Sequence, residues 1–160
     1  MDAERTDAAP TGADRVAVDG QEEDRVACRW RGPLADQEVV DLVRAHGGHA
    51  VGGWWDRIRP HSLGWVTARD DRGLLVGFVN VAWDGGDHAF LLDTKVRTTH
   101  QHRGLGTELV RHAVDGARAA GCEWLHVDFR PGLERFYLDA CGFVPTGAGL
   151  VHLVGLVPET

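Results

Sequence analysis

The hydrophobic period of this chain changes along its middle third. From Leu63 to Val96 the apolar residues come in three strand-like runs: Leu63 to Ala68, Leu74 to Trp83 and His88 to Val96. Asp70-Asp71-Arg72-Gly73 and Asp84-Gly85-Gly86-Asp87 separate them. Both separators are turn chemistry, so the runs predict antiparallel hairpins. After Val96 a polar stretch follows, and then Leu105, Leu109, Ala113, Ala117 and Ala120 fall on one stripe spaced as on a helix. Sheet residues thus feed an amphipathic helix through a short polar loop.

The flanking segments extend this pattern. Arg25 to Trp30 reads as a first strand, and Leu34 to His46 as a helix stopped by Gly47-Gly48. Val51 to Pro60 reads as a short second helix. Beyond the long helix, Glu123 to Arg130 alternates as a strand does. It sends Leu125, Val127 and Phe129 to one face and Trp124, His126 and Asp128 to the other. Leu133 to Cys141 predicts a helix closed by Gly142, and Phe143 to Thr146 and Leu150 to Leu156 predict two short terminal strands. The fold class is α/β. Residues 1–23 have almost nothing large and apolar to bury and read as a disordered acidic tail, leaving residues 24–160 as a single domain.

Charge and cysteine usage narrow the function. The net charge of −7 argues against a nucleic-acid or anionic-membrane surface, both of which call for a basic patch. Three cysteines, Cys28, Cys122 and Cys141, are an odd number with no C-x-x-C spacing. A disulfide framework is not expected, and a reducing cytoplasm fits. The N-terminal segment has no apolar core of a signal peptide, and no stretch approaches 18 apolar residues. The nine histidines show no metal-ligand spacing, so no metal is expected.

The segment that carries chemistry is the loop from Val96 to Gly106. The first N–H groups of a helix lack intrahelical partners, and the helix dipole adds positive potential there. Such a terminus binds phosphate, and glycines let the anion approach the backbone. A Walker loop is absent, and of a dinucleotide fingerprint only Gly104-Leu105-Gly106 is present. These residues alone leave two readings open: a phosphate-binding helix start, or an ordinary strand-to-helix turn with a glycine cap.

Gln101-His102-Arg103-Gly104-Leu105-Gly106 matches the (Q/R)-x-x-G-x-(G/A) pyrophosphate loop of the GNAT family of N-acetyltransferases, and Val96 sits five residues ahead of Gln101. Leu75-Val76-Gly77-Phe78 is similar to that family's VGF strand. Phe136-Tyr137 with Cys141-Gly142-Phe143 resembles its C-terminal signature. The resemblance runs from about Arg25 to Leu153, with the elements in the family's order. It implies a mixed, mostly antiparallel sheet of about six to seven strands flanked by about four helices and splayed beside the His88–Val96 strand. It also implies transfer of an acetyl group from acetyl-CoA, a co-substrate, to an amine. Gln101, His102, Arg103, Gly104, Leu105, Gly106 and Thr107 would hold the pyrophosphate, and the main chain at Lys95 and Val96 the pantetheine. Relatives often pair through terminal strands, which implies a homodimer.

The resemblance also suggests side-chain roles. Tyr137, the only tyrosine, would protonate the leaving thiolate. Five steps separate it from Gly142, where four are common, and one extra residue turns a helical position by about 100°. The helix end must absorb that insertion if Tyr137 is to serve. Otherwise an acyl-CoA-binding module without catalysis is the competing expectation. Asp93, His88, His126 and Asp128 are candidates for a general base, which must reach the amine directly or through one water. Trp54, Trp55, Trp83, Asp84 and Asp87, together with His126, are candidates for the acceptor pocket, because aromatic faces and carboxylates suit a cationic amine.

Overall fold

The computed structural model describes residues 25–153. The acidic tail expected over residues 1–23 lies outside the described residues. Five strands form one sheet in the order β1-β2-β3-β4-β5: β1 Ala27–Trp30, β2 Ser62–Arg69, β3 Leu75–Trp83, β4 His88–Val96 and β5 Trp124–Val127. The first three pairings are antiparallel, and β4 pairs with β5 in parallel. Helices α1 (Asp36–Ala45) and α2 (Trp54–Ile58) precede β2, and α3 (Leu105–Ala119) forms the crossover from β4 to β5. A π-helical segment, Arg135–Ala140, follows β5.

Each face of the sheet is covered by a different apolar stripe. Leu105, Leu109, Val110, Ala113 and Ala117 of α3 pack with Val66, Ala68, Val79, Val81, Ala89 and Leu91, all essentially buried. Val39, Leu42 and Val43 of α1 and Trp55 of α2 pack with Leu75 and Phe78. Glycine permits one close approach here. A Cβ on Gly77 would lie 2.9 Å from Leu109 and 3.1 Å from Ala68, so the VGF strand needs its glycine for α3 to seat.

Polar contacts tie α1 and α2 in place. The Asp36 carboxylate accepts from the backbone N–H of Gly53 at 2.6 Å and of Trp55 at 2.7 Å, which holds its pKa below the ordinary carboxylate range. Arg69 of β2 donates to both carboxylate oxygens of Glu38, at 2.6 and 2.9 Å, and to the carbonyls of Pro33 and Gly73.

The structure departs from the expected element list at the C-terminal end. Phe143 to Thr146 is not a strand, and residues 150–153 have no regular structure; residues 154–156 of the second expected strand lie outside the described residues. Alternating apolar residues make a strand only where a ladder partner and a covering layer exist. Here Pro145, Gly147 and Gly149 interrupt the run, and Val144, Leu150, Val151 and Leu153 are all exposed. The described sheet therefore has five strands, fewer than the six to seven expected.

Candidate active-site cleft

Strands β4 and β5 separate as they run. Their pairing covers only His88–Leu91 against Trp124–Val127. Past that point β4 continues to Val96, while the chain after β5 turns away through Asp128, Phe129 and Arg130. The split opens a cleft of about 970 Å³. Leu92, Asp93, Thr94 and Lys95 form one wall, Asp128 to Pro131, Leu133 and Tyr137 the other, and His46-Gly47-Gly48 from the end of α1 reach its rim.

The β4 wall is irregular at one place. Phe78 pairs with Lys95 but Asn80 pairs with Leu92, so Val79 alone opposes Asp93 and Thr94. This is a β-bulge, and it withdraws main-chain groups from the ladder beside the cleft. Asp93 adopts φ 57°, one of three non-glycine residues with positive φ among those described. Aspartate is among the few residue types that tolerate this region. Burial raises the Asp93 carboxyl above its ordinary value, and the neighbouring Lys95 ammonium partly offsets that.

Tyr137 faces this bulge. The side chain is 7% exposed and stacks on Phe129 (4.9 Å, 19°), with Phe136 and Phe143 edge-on. Burial raises its phenol, and the neighbouring Thr94 hydroxyl partly offsets that. The extra residue before Gly142 is accommodated locally. The Cys141 N–H donates to the Phe136 carbonyl at 3.0 Å, an i→i−5 bond, and Phe143 N–H donates to Tyr137. A π-helical turn absorbs an insertion this way without rotating the residues ahead of it. Tyr137 consequently stays on the cleft.

At the far end of β4 the loop Gln101–Gly104 leads into α3. His102 (φ 61°) and Gly104 (φ 80°) are both left-handed. No side chain caps α3, and its first backbone bond is Glu108 N–H to the Gly104 carbonyl. The N–H groups of Leu105, Gly106 and Thr107 thus lie ahead of the helical ladder, and nothing lies within 4 Å of a Cβ placed on Gly104. The terminus is open and positive, the arrangement that receives a phosphate. At Gly106 the helix start packs closely: a Cβ there would lie 3.0 Å from the Phe136 ring. The Val96 carbonyl accepts from Gln101 Nε2 at 3.0 Å and from His46 Nδ1 at 2.8 Å, locking the loop to β4 and to the end of α1.

The other residues singled out from sequence fall in different places. Asp93, Lys95, Asp128 and Tyr137 share the cleft. Trp55 is fully buried between Trp65 and Phe78 and is a core residue, and Trp54 is half-buried beside it. Trp83 and Asp84 lie at the β3–β4 turn, where Trp83 Nε1 donates to the Gly86 carbonyl and Asp84 accepts from Gly86 N–H. That turn precedes β4, about five residues or roughly 17 Å from the bulge, and neither residue lines the cleft. His126 stands with His88 on the exposed face of β4 and β5. Sequence reading missed His46, Thr94 and Phe129. His46 carried a signal only as the residue before a glycine helix stop. Thr94 could have been found two positions before Val96.

The sequence profile of the Acetyltransferase (GNAT) family matches residues 21–143. A rice protein (Oryza sativa subsp. japonica) described as "Probable glucosamine 6-phosphate N-acetyltransferase 2" is 38% identical over 63 residues, 39% of this chain and 37% of that protein's length. The chain therefore spans little more than a third of that relative. A GNAT-family acetyltransferase structure from Streptococcus pneumoniae superposes with TM-score 0.66 at 18% identity, covering 81% of this chain and 99% of the other. A GNAT-family N-acetyltransferase from Escherichia coli, solved in complex with CoA, superposes with TM-score 0.60 at 17% identity, covering 88% and 73%. A split between parallel strands, a bulge beside it, an uncapped glycine-led helix and a match over most of the described residues agree with one another, and the chain belongs to the GNAT family of acetyltransferases.

Proposed function

We propose that this protein transfers an acetyl group from acetyl-CoA to the primary amine of a small molecule, by direct attack within a ternary complex. The observation that carries this reading is the π-helical turn that keeps Tyr137 on the cleft, facing the β4 bulge at Asp93 and Thr94. That turn favours catalysis over an acyl-CoA-binding module, because binding alone requires no proton donor at this position.

The residues fit acetyl-CoA as a substrate. Its pyrophosphate suits the open N-terminus of α3 and the left-handed residues His102 and Gly104. The cleft beside Lys95 is suited to the pantetheine arm. Acetyl-CoA supplies an acyl thioester. The chain has to provide a neutral amine, a donor for the developing oxyanion and a proton for the thiolate. A backbone N–H freed at the bulge is suited to the second task. The buried phenol of Tyr137 stays protonated at neutral pH and is suited to the third. Asp93, with its carboxyl raised by burial, is suited to taking the amine proton. The amine nitrogen then bonds to the carbonyl carbon, the C–S bond breaks, and CoA leaves as the thiol. Much of the rate follows from holding both reactants in one cleft.

Calorimetry with acetyl-CoA, joined to an assay of thiol release, tests this reading. Micromolar binding is expected, lost in Gly104→Glu, which puts bulk and negative charge into the loop. Tyr137→Phe should bind acetyl-CoA as before and turn over about a hundredfold more slowly. Absence of binding by the unmodified protein would overturn the reading. Normal turnover by Tyr137→Phe would remove the tyrosine from the chemistry.

A further inference from the structure

On the reading of the site as an amine acetyltransferase, we infer that the acceptor amine is carried on an apolar, aromatic body that lies along the Phe90–His126–His88 face of β4 and β5. Alternation along β4 buries Ala89 and Leu91 toward α3 and turns His88, Phe90 and Leu92 to the opposite face. Register places Phe90 beside His126 and His88 beside Trp124. Helices α1 and α2 cover the sheet at Leu75 and Phe78 and leave this part uncovered: Phe90 is 39% exposed, Leu92 37% and Trp124 60%.

Three rings on this face are already assembled. The Phe90 and His126 rings are nearly parallel (5.0 Å, 20°), and the His88 and His126 rings lie edge to edge, with centroids 5.0 Å apart and His88 Nδ1 2.7 Å from His126 Nε2. One imidazole N–H and one lone pair fill that bond, so both rings are held before a ligand arrives. A surface fixed in this way loses little freedom on binding. Hydrogen-bonded edge to edge and 28° from coplanar, the two imidazoles leave ring faces on which an aromatic ligand can stack. The ammonium has its own place further along: Leu92 belongs both to this face and to the cleft, where Asp93 and Asp128 stand. Two to three residues of strand separate Phe90 from Asp93, about 7–10 Å, the reach of an amine on a short alkyl arm from a ring. His88, Phe90, Leu92, Trp124 and His126 bring no cation to this face, and Lys95 and Arg130 stand in the adjoining cleft.

Steady-state acetylation of 2-phenylethylamine, tryptamine, spermidine and glucosamine 6-phosphate tests the inference, with acetyl-CoA binding followed separately by calorimetry. The arylalkylamines should be preferred. Phe90→Ala should raise their KM about tenfold, with kcat and acetyl-CoA affinity little changed, and Phe90→Tyr should restore KM. Circular dichroism on the variants excludes unfolding, which is not expected at a residue this exposed. Preference for the sugar phosphate or the polyamine, or an arylalkylamine KM unmoved by Phe90→Ala, would overturn the inference and leave acetyl transfer standing. Concentration-dependent dimerisation abolished by Phe90→Ala would assign the face to a second copy of the chain and overturn it as well. Failure of the unmodified protein to bind acetyl-CoA would instead strike at the acetyltransferase reading on which this rests.

Discussion

Asp93 combines two unfavourable features: a left-handed backbone and a carboxyl half-removed from water. The second has a direct consequence for stability. Its pKa is raised on folding, chiefly by burial, so the folded chain holds that proton more tightly than the unfolded chain does. The associated stability is fully present below the unfolded value, near pH 3.9, and is lost as pH rises through the higher folded value. Asp93→Asn keeps the shape and the tolerance for positive φ while removing the charge. It should be more stable than the parent at pH 7, by urea unfolding, with the gain shrinking as pH falls toward 4. Its acetylation rate should fall, since the base would be gone. An Asn variant less stable at pH 7 would mean that the carboxylate makes a favourable contact that outweighs its burial. The sequence marked Asp93 as a strand carboxylate near the loop, yet the bulge could not be read there. Register is a property of two strands, and Val79 carries no local sign that it will face two residues.

At the scale of elements, α3 is pressed between the loop at its start and β1 near its end. A Cβ on Gly116 would lie 2.5 Å from the Trp30 indole, so this helix interior keeps a glycine where alanine has the better intrinsic propensity. Gly116→Ala should therefore destabilise the fold by about 1–3 kcal/mol despite that propensity, as overpacking does. The same change in a Trp30→Ala background should stabilise by up to about 1 kcal/mol relative to Trp30→Ala alone. Chemical denaturation of the four proteins in the cycle measures the coupling, and additivity would show that the contact is not the cause. Elements with a long, unbroken period were legible from sequence: β2, β3, β4 and α3 lie close to their expected bounds. The turn after Leu133 was legible as a helix but not as a π-helix. A period of apolar residues reports a buried face and does not report which carbonyl an N–H will choose. The terminal strands were misread for a related reason: alternation at Leu150, Val151 and Leu153 describes a side-chain pattern, and a strand needs a partner as well.

Taken as a whole, the molecule is divided by its own cleft. Only four residue pairs join β4 to β5, and they lie at the end away from the α3 loop. Beyond them, among the described residues, the wall that carries Phe129 and Tyr137 has no strand ladder to β4 and is joined to the rest by apolar packing of Phe129, Phe136, Tyr137 and Phe143 on the α3-side core. A ligand held by both walls should then act as a clasp across the split. Linkage sets the size of the effect: at 100 times its Kd, a ligand that binds only the folded chain adds about 2.7 kcal/mol. For a domain of this size that corresponds to a rise in Tm of roughly 8 °C. Acetyl-CoA should produce such a shift by thermal unfolding. Adenosine 3′-phosphate 5′-diphosphate, which keeps the pyrophosphate and lacks the pantetheine arm, should produce a much smaller one, because it can occupy the loop without bridging the walls. Equal shifts from both ligands, each at the same multiple of its own Kd, are required by linkage, so the comparison must be made at equal concentration. There the arm's contribution appears as affinity. If the two ligands remain indistinguishable at equal concentration, the arm makes no contact with the split, and the cleft between β4 and β5 is not where acetyl-CoA lies.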